Sequence, residues 1–218
     1  RRPTGPGHAI RRATPWTSSA PLATPRREAA RIPRMGFPET LCTPRLTLRR
    51  WREEHVEAMA AVWGDPDVWR ALRPGEQFDP EFAAGRAELH VRHWHEHGFG
   101  LWVVEERASG ELAGWVGPWH PTFVPELADR IEIGWTLRRP FWGRGLAVEG
   151  AEAAVAAAFS HLGVDEVISL IYPGNRRSIA VARRLGMGPG RVVRHPGIGQ
   201  DLRIYALTGA AWSARRRQ

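Results

Sequence analysis

Apolar positions along this chain change period repeatedly. "RLTLRRW" (45–51) alternates apolar and polar residues, the period of a half-buried strand. "EEHVEAMAAVWG" (53–64) instead places Val56, Met59, Ala60 and Trp63 at helical spacing, with Gly64 as a stop. A second helix is predicted over 79–98, with Asp79 as N-cap and Pro80 in its first turn. Two strands follow, 99–106 and 112–119, joined by the turn "RASGE". The strand "RIEIGWTL" (130–137) leads into an alanine-rich helix over roughly 144–162, which directs Leu146, Val155, Phe159 and Leu162 to the core. A buried strand (166–172), a helix (175–186) ending at Gly186 and a last strand (203–207) complete the pattern. The class is α/β or α+β around one central mixed sheet, with parallel pairing where helices cross over.

Residues 1–40 show neither period and are rich in Pro, Thr, Ser, Ala and Arg. They read as a disordered extension, followed by a single domain over 41–209 and a basic tail over 210–218. Met35 lies just before the first pattern and is a plausible native start. The arginine-rich, acid-poor leader also resembles an organelle transit peptide, although it lacks amphipathic spacing.

Charge changes the picture once it is located. The net charge is +8, and all 31 basic residues are arginine. Residues 1–34 hold eight arginines and one acid, and Arg215, Arg216 and Arg217 add three positive charges. Subtracting the two ends leaves the body at −2, which argues against nucleic acid as a partner. A single cysteine, Cys42, excludes an intramolecular disulfide and a cysteine zinc cluster, and fits a reducing, cytoplasmic setting. No apolar run has the length of a membrane span. Most of the eleven tryptophans, including Trp63, Trp102, Trp115 and Trp135, fall where neighbours read as core.

The stretch "RRPFWGRGLAVEGA" (138–151) carries the chemistry. A strand-to-helix turn leaves backbone N–H groups unpartnered at the positive end of the helix dipole, which favours an anion. Gly143 and Gly145 remove side chains from that approach, and Arg144 adds a cation. Two named phosphate loops do not fit. The chain has no lysine for a Walker loop, and Val148 stands where the dinucleotide fingerprint needs its third small residue.

The window "WGRGLA" (142–147), within "EIGWTLRRPFWGRGLA" (132–147), resembles the pyrophosphate motif of the GNAT acyltransferase superfamily. Trp142, in place of the usual Gln or Arg, is typical of the ribosomal-protein N-terminal acetyltransferase-like (RimJ/RimL-like) branch. "LCTPRLTLRRW" (41–51) and "YPGNRRSIAVARRLGM" (172–187) are similar to that branch's opening strand and its N-x-x-S segment. The resemblance covers about 41–208 and implies a GNAT fold, with a splayed mixed sheet of about six to seven strands flanked by helices.

It also implies acetyl-CoA as co-substrate, no metal, and an N-acetyltransferase that moves acetyl directly to a primary amine. That amine is a protein N-terminus or a small molecule, and the protein a monomer or homodimer. The cofactor residues implied are Trp135, Thr136, Leu137, Trp142, Gly143, Arg144, Gly145, Leu146, Ala147, Asn175 and Ser178, with an amide near Trp135 or Thr136 as oxyanion donor. The family's usual tyrosine acid is replaced by Ala182, which leaves Ser178 as the substitute; Glu132 is either the base, directly or through water, or only a substrate-binding or structural residue, with bulk solvent then taking the amine proton. Asn175 caps helices as readily as it binds a ligand, and Ser178 equally fits a capping role. Arg176 and Arg177 either meet the 3′-phosphate of CoA or are merely exposed.

"HVRHWHEHG" (90–98) places His93 and His97 four apart, but reads first as a solvated helix end favoured by the dipole. His120 and His195 lie in loops on the acceptor side. An alternative reading is a CoA-binding regulatory or scaffolding protein with little catalytic activity, for which Ala182 leaves room.

Overall fold

A computed structural model describes residues 36–197 and 199–217. The leader reading and the start at Met35 therefore lie, through residue 35, outside the described residues. The described residues form eight strands: β1 (Thr40–Cys42), β2 (Leu46–Arg50), β3 (Trp102–Glu106), β4 (Leu112–Trp119), β5 (Glu132–Leu137), β6 (Glu166–Ile171), β7 (Gly188–Arg194) and β8 (Asp201–Thr208). Six α-helices accompany them: α1 (Val56–Trp63), α2 (Pro66–Leu72), α3 (Pro80–His97), α4 (Leu146–Ala157), α5 (Arg176–Leu185) and α6 (Gly209–Arg215).

One sheet runs in the order β1-β2-β3-β4-β5-β6-β8-β7. β1 to β5 form an antiparallel meander, and β6, β8 and β7 a second antiparallel group. The two groups meet only at β5 and β6, which are parallel and share the single register pair Glu132↔Ile168. Both faces of the sheet are covered. Trp63 of α1 stacks on Trp115 of β4 at 5.2 Å, while Gly150 of α4 sits against Val116, whose side chain points the other way. Gly150 lets α4 approach closely, since an added Cβ would lie 3.2 Å from Val116.

Several boundaries differ from the sequence expectation, each for a local reason. Eight strands replace six to seven because β1 and β7 are pinned by neighbours despite weak patterns: only Val193 of β7 is buried. The fold also starts before residue 41. Phe37 stacks on Trp102 at 4.9 Å, and the Trp102 indole donates to the Pro38 carbonyl at 3.0 Å. The segment read as a basic tail is helical through Arg215, capped by Thr208 and anchored by buried Trp212. α4 begins at Leu146 because Gly145 has φ +78°, and its last turn, Ala158–Leu162, widens to π geometry. Trp135 is only partly buried, unlike the other three tryptophans expected in the core.

Candidate functional site

The site begins where β5 and β6 separate. Ile168 N–H donates to the Ile131 carbonyl at 2.9 Å, beside the single register pair that joins the two strands. The next rung is made by a side chain: Glu132 Oε1 accepts from Leu170 N–H at 3.1 Å. Ser169 Oγ then donates to the Ile133 carbonyl at 2.7 Å. These two polar side chains end the pairing while satisfying the Leu170 N–H and the Ile133 carbonyl. Strand alternation turns the N–H and C=O of Ile131, Ile133 and Trp135 toward the gap, and those of Thr136 toward β4.

Glu132 is only 7% exposed. Burial pushes its pKa up to about 7, against the opposing pull of the Leu170 amide, the Arg86 guanidinium and the Trp119 indole. Its Oε2 is buried and has no partner among the described residues.

On one side of the gap lies a cavity of about 320 Å³. Its lining holds every residue assigned above to the cofactor except Arg144. The loop after β5 is built to stay open. The Trp142 indole donates to the Leu137 carbonyl at 2.6 Å, which fastens the loop to the strand end. Gly143 and Gly145 then adopt φ of +74° and +78°, conformations that strain any residue with a Cβ. As a result the amides of residues 143–148 donate to no acceptor within the described residues; the first turn of α4 closes only with Glu149 N–H to the Gly145 carbonyl.

Behind the loop, Glu149 accepts from Thr43 Oγ1 at 2.6 Å, Arg45 N–H at 2.8 Å and Arg45 Nε at 2.6 Å. Burial opposes ionisation of Glu149, but these bonds outweigh it and hold the pKa below the usual carboxylate range. Arg45 also donates to the Arg144 carbonyl at 2.8 Å. Sequence reasoning missed this brace, because Thr43 and Arg45 lie more than a hundred residues from Glu149.

The Arg144 side chain pairs with Glu106 and points away from the cavity, so it does not supply the cation expected of it. Arg177 and Arg184 line the cavity instead, Arg177 lying 4.5 Å over the Trp142 ring. Asn175 Oδ1 accepts from Ser178 N–H at 3.1 Å and its Nδ2 donates to the Ala71 carbonyl at 3.3 Å. It caps α5 and ties it to α2. Ser178 lines the cavity, and Ala182 is fully buried.

A second cleft, of about 900 Å³, adjoins the first and shares Ala71, Asn175 and Arg177 with it. Tyr172 lines it. The Tyr172 hydroxyl is buried without a partner among the described residues, and burial raises its pKa to about 12. Tyr172 closes strand 166–172 in the sequence, where its apolar company disguised a hydroxyl.

Glu132 lies in neither lining. It faces an aromatic wall: Trp119 is its cross-strand partner, Phe123 stacks on Trp119 at 5.7 Å, and His195 packs on Phe123 at 4.8 Å. His195 thus joins this wall. Burial pushes its pKa down to about 4.

His120 belongs to a different cluster. His93, His97 and His120 bring ring nitrogens within 4.8 Å of one another. His93 is not the solvated residue expected, because Nδ1 donates to the Phe99 carbonyl at 2.9 Å and Nε2 accepts the His120 amide at 3.1 Å. With both nitrogens committed, His93 has no lone pair to offer a metal.

The acetyltransferase (GNAT) domain family matches residues 45–188, which include both the cleft floored by unpartnered amides and the splayed parallel pair. The chain belongs to the GNAT acetyltransferase family. The domain is 32% identical over 189 residues to the FsC-acetyl coenzyme A-N(2)-transacetylase of Aspergillus fumigatus, covering 79% of this chain and 77% of that protein. It is 28% identical over 172 residues to the uncharacterized protein YkkB of Bacillus subtilis, covering 73% and 91%. Among solved structures, an acetyltransferase from Agrobacterium tumefaciens matches with TM-score 0.66 and 28% identity, covering 84% of this chain and 99% of that one. RimL, a ribosomal L7/L12 alpha-N-protein acetyltransferase solved with coenzyme A, shares the fold at TM-score 0.61 and 19% identity, covering 81% and 99%.

Proposed function

We propose that this GNAT protein is an acetyl-CoA-dependent N-acetyltransferase that passes acetyl directly to a primary amine, of a protein N-terminus or a small molecule, in the cytoplasm. The observation that carries this reading is the row of amides at residues 143–148, without acceptors and opening on the cavity. A pyrophosphate satisfies such donors and complements the helix dipole. Arg177 and Arg184 add cations at the same wall. The amide of Trp135, turned to the gap, serves pantetheine or the developing oxyanion; Thr136, turned to β4, does not.

Glu132 is the base. Its orphan Oε2 accepts a proton from the attacking amine, directly or through water, and a pKa near neutrality suits that transfer. The amine nitrogen bonds to the acetyl carbon, the carbon–sulfur bond breaks, and the Ser178 hydroxyl relays a proton from water to the thiolate while Glu132 releases the amine proton to solvent, so that one proton passes in net from amine to sulfur. The relatives' printed names support the reaction class and coenzyme A, and leave the acceptor open.

Initial rates of thiol release, with acetyl-CoA and a panel of primary amines, test the reading. Saturable turnover with at least one amine is expected. Binding of CoA with no turnover across peptides and small amines would favour a regulatory protein instead.

A further inference from the structure

Arg86, on α3, stands out among the groups around Glu132. Its guanidinium lies 5.0 Å over the Trp119 ring, and Trp119 is the cross-strand partner of Glu132. The side chain is partly buried, and burial lowers its pKa to about 10 despite the favourable field of Glu132. Yet among the described residues no carboxylate lies within ion-pair distance of it, and its nitrogens make no hydrogen bond. Leaving a cation half out of water without an anion is costly, and the fold tolerates it here.

Its neighbours do not supply the missing charge. Arg73, the other cation sensed by His195, is already paired with Glu76 and packed 4.1 Å over the Phe82 ring. His90, one turn along α3, is buried with its pKa well below the usual value, so it stays neutral. His195 is neutral at physiological pH for the same reason, burial. Glu132 has an unpartnered oxygen of its own, and the Arg86–Glu132 gap exceeds ion-pair distance. What remains is one cation without an anion and one buried carboxylate with an unpartnered oxygen, held apart along the same wall of Trp119, Phe123 and His195. That is the electrostatic mirror of a molecule bearing an amine and an acid.

We infer that Arg86 binds an anion on the acceptor, so that the amine acetylated beside Glu132 carries its own carboxylate, as an amino acid does. The inference rests on the reading of Glu132 as the amine-side base. The planar guanidinium, supported on one face by an indole, presents its N–H edge to a carboxylate in the bidentate manner that lysine cannot copy. The aromatic wall receives whatever side chain the acceptor bears. A free α-amino acid fits both charges; a peptide N-terminus, whose carboxylate is an amide, fits only one.

The test compares the common amino acids with their carboxamides as acceptors, with kcat/KM expressed on the unprotonated amine. The best amino acid should exceed its carboxamide by about 10-fold or more. Arg86→Gln should bring that ratio toward one, and Arg86→Lys should restore part of it. A ratio at or below one in the wild type overturns the inference, and so does an Arg86→Gln protein that loses both activities equally with the ratio kept. Calorimetry separates this from failure of the enzymatic reading. If CoA binds but no amine turns over, the proposed reaction fails, and N-acetylphenylalanine against its amide still decides Arg86. Tighter binding of the acid, lost in Arg86→Gln, supports the inference; equal binding refutes it.

Discussion

The two sides of the gap between β5 and β6 are made of different material. On the side proposed for the cofactor the polar surface is main chain: six consecutive amides, freed by two left-handed glycines and held in place by Trp142 and the Glu149–Arg45 brace. On the side proposed for the acceptor it is side chain: Glu132, Arg86 and His195 on an aromatic wall, with Tyr172 in the neighbouring cleft. A main-chain surface fits one constant ligand, since amides cannot be substituted. A side-chain surface can be rewritten residue by residue while the fold stays the same.

That contrast is sharpest at Glu132, which belongs to the acceptor side although its strand borders both. Glu132→Gln should lower turnover by about 10² to 10⁴-fold, the usual contribution of a general base. Wild-type turnover should rise with pH through about 7, where Glu132 ionises, and the variant should lack that limb; pH profiles of thiol release check both. A variant that retains wild-type turnover and the same pH limb would remove Glu132 from the mechanism.

The same group makes a stability prediction of somewhat smaller size. The folded pKa of about 7 stands above the ordinary 4.5, so the folded protein holds the proton more tightly. The stabilisation from that proton is complete below about pH 4.5 and is lost as pH rises through about 7. The displacement corresponds to roughly 3 kcal/mol. Chemical denaturation at pH 5 and pH 8 should therefore show Glu132→Gln gaining on the wild type at the higher pH. An equal difference at both values would mean that Glu132 is better solvated than its burial implies.

Asn175 gives the smallest effect and divides cap from ligand. Asn175→Ala should cost about 1 kcal/mol of stability through loss of the α5 cap and the tie to α2. Its effect on the KM for acetyl-CoA should stay within a few-fold. Unchanged stability with a large rise in KM would assign Asn175 to the cofactor.

The same division decides what was legible in the sequence. A main-chain site needs glycines at fixed offsets, so "WGRGLA" announces itself, as does the strand that feeds it. The charged residues opposite leave no such trace. Arg86 sits in an ordinary helical pattern, and only the fold brings α3 against Trp119. Arg144 shows the limit of spacing: its place in the motif suggested a cation for the ligand, but its side chain found Glu106, 38 residues away. α2 was overlooked although Asp65 and Pro66 form a sound start, with Asp65 Oδ1 accepting from Asp67 N–H at 2.8 Å, because seven residues are too few to establish a period. β7 reads as loop because "GPGRVVR" holds two glycines and a proline, and pairing with β8 overrides them.

The measurement that tests the account most directly is calorimetric titration of CoA into the wild type, Gly145→Glu and Glu132→Gln. Gly145→Glu sets a carboxylate among the free amides at a φ of +78°, and Glu132→Gln changes only the far side of the gap. The account predicts that the first variant loses CoA binding by about 100-fold or more while keeping its fold. The second should bind CoA within about twofold of the wild type. CoA affinity that survives Gly145→Glu would contradict it, because the backbone loop would then not be where the pyrophosphate sits.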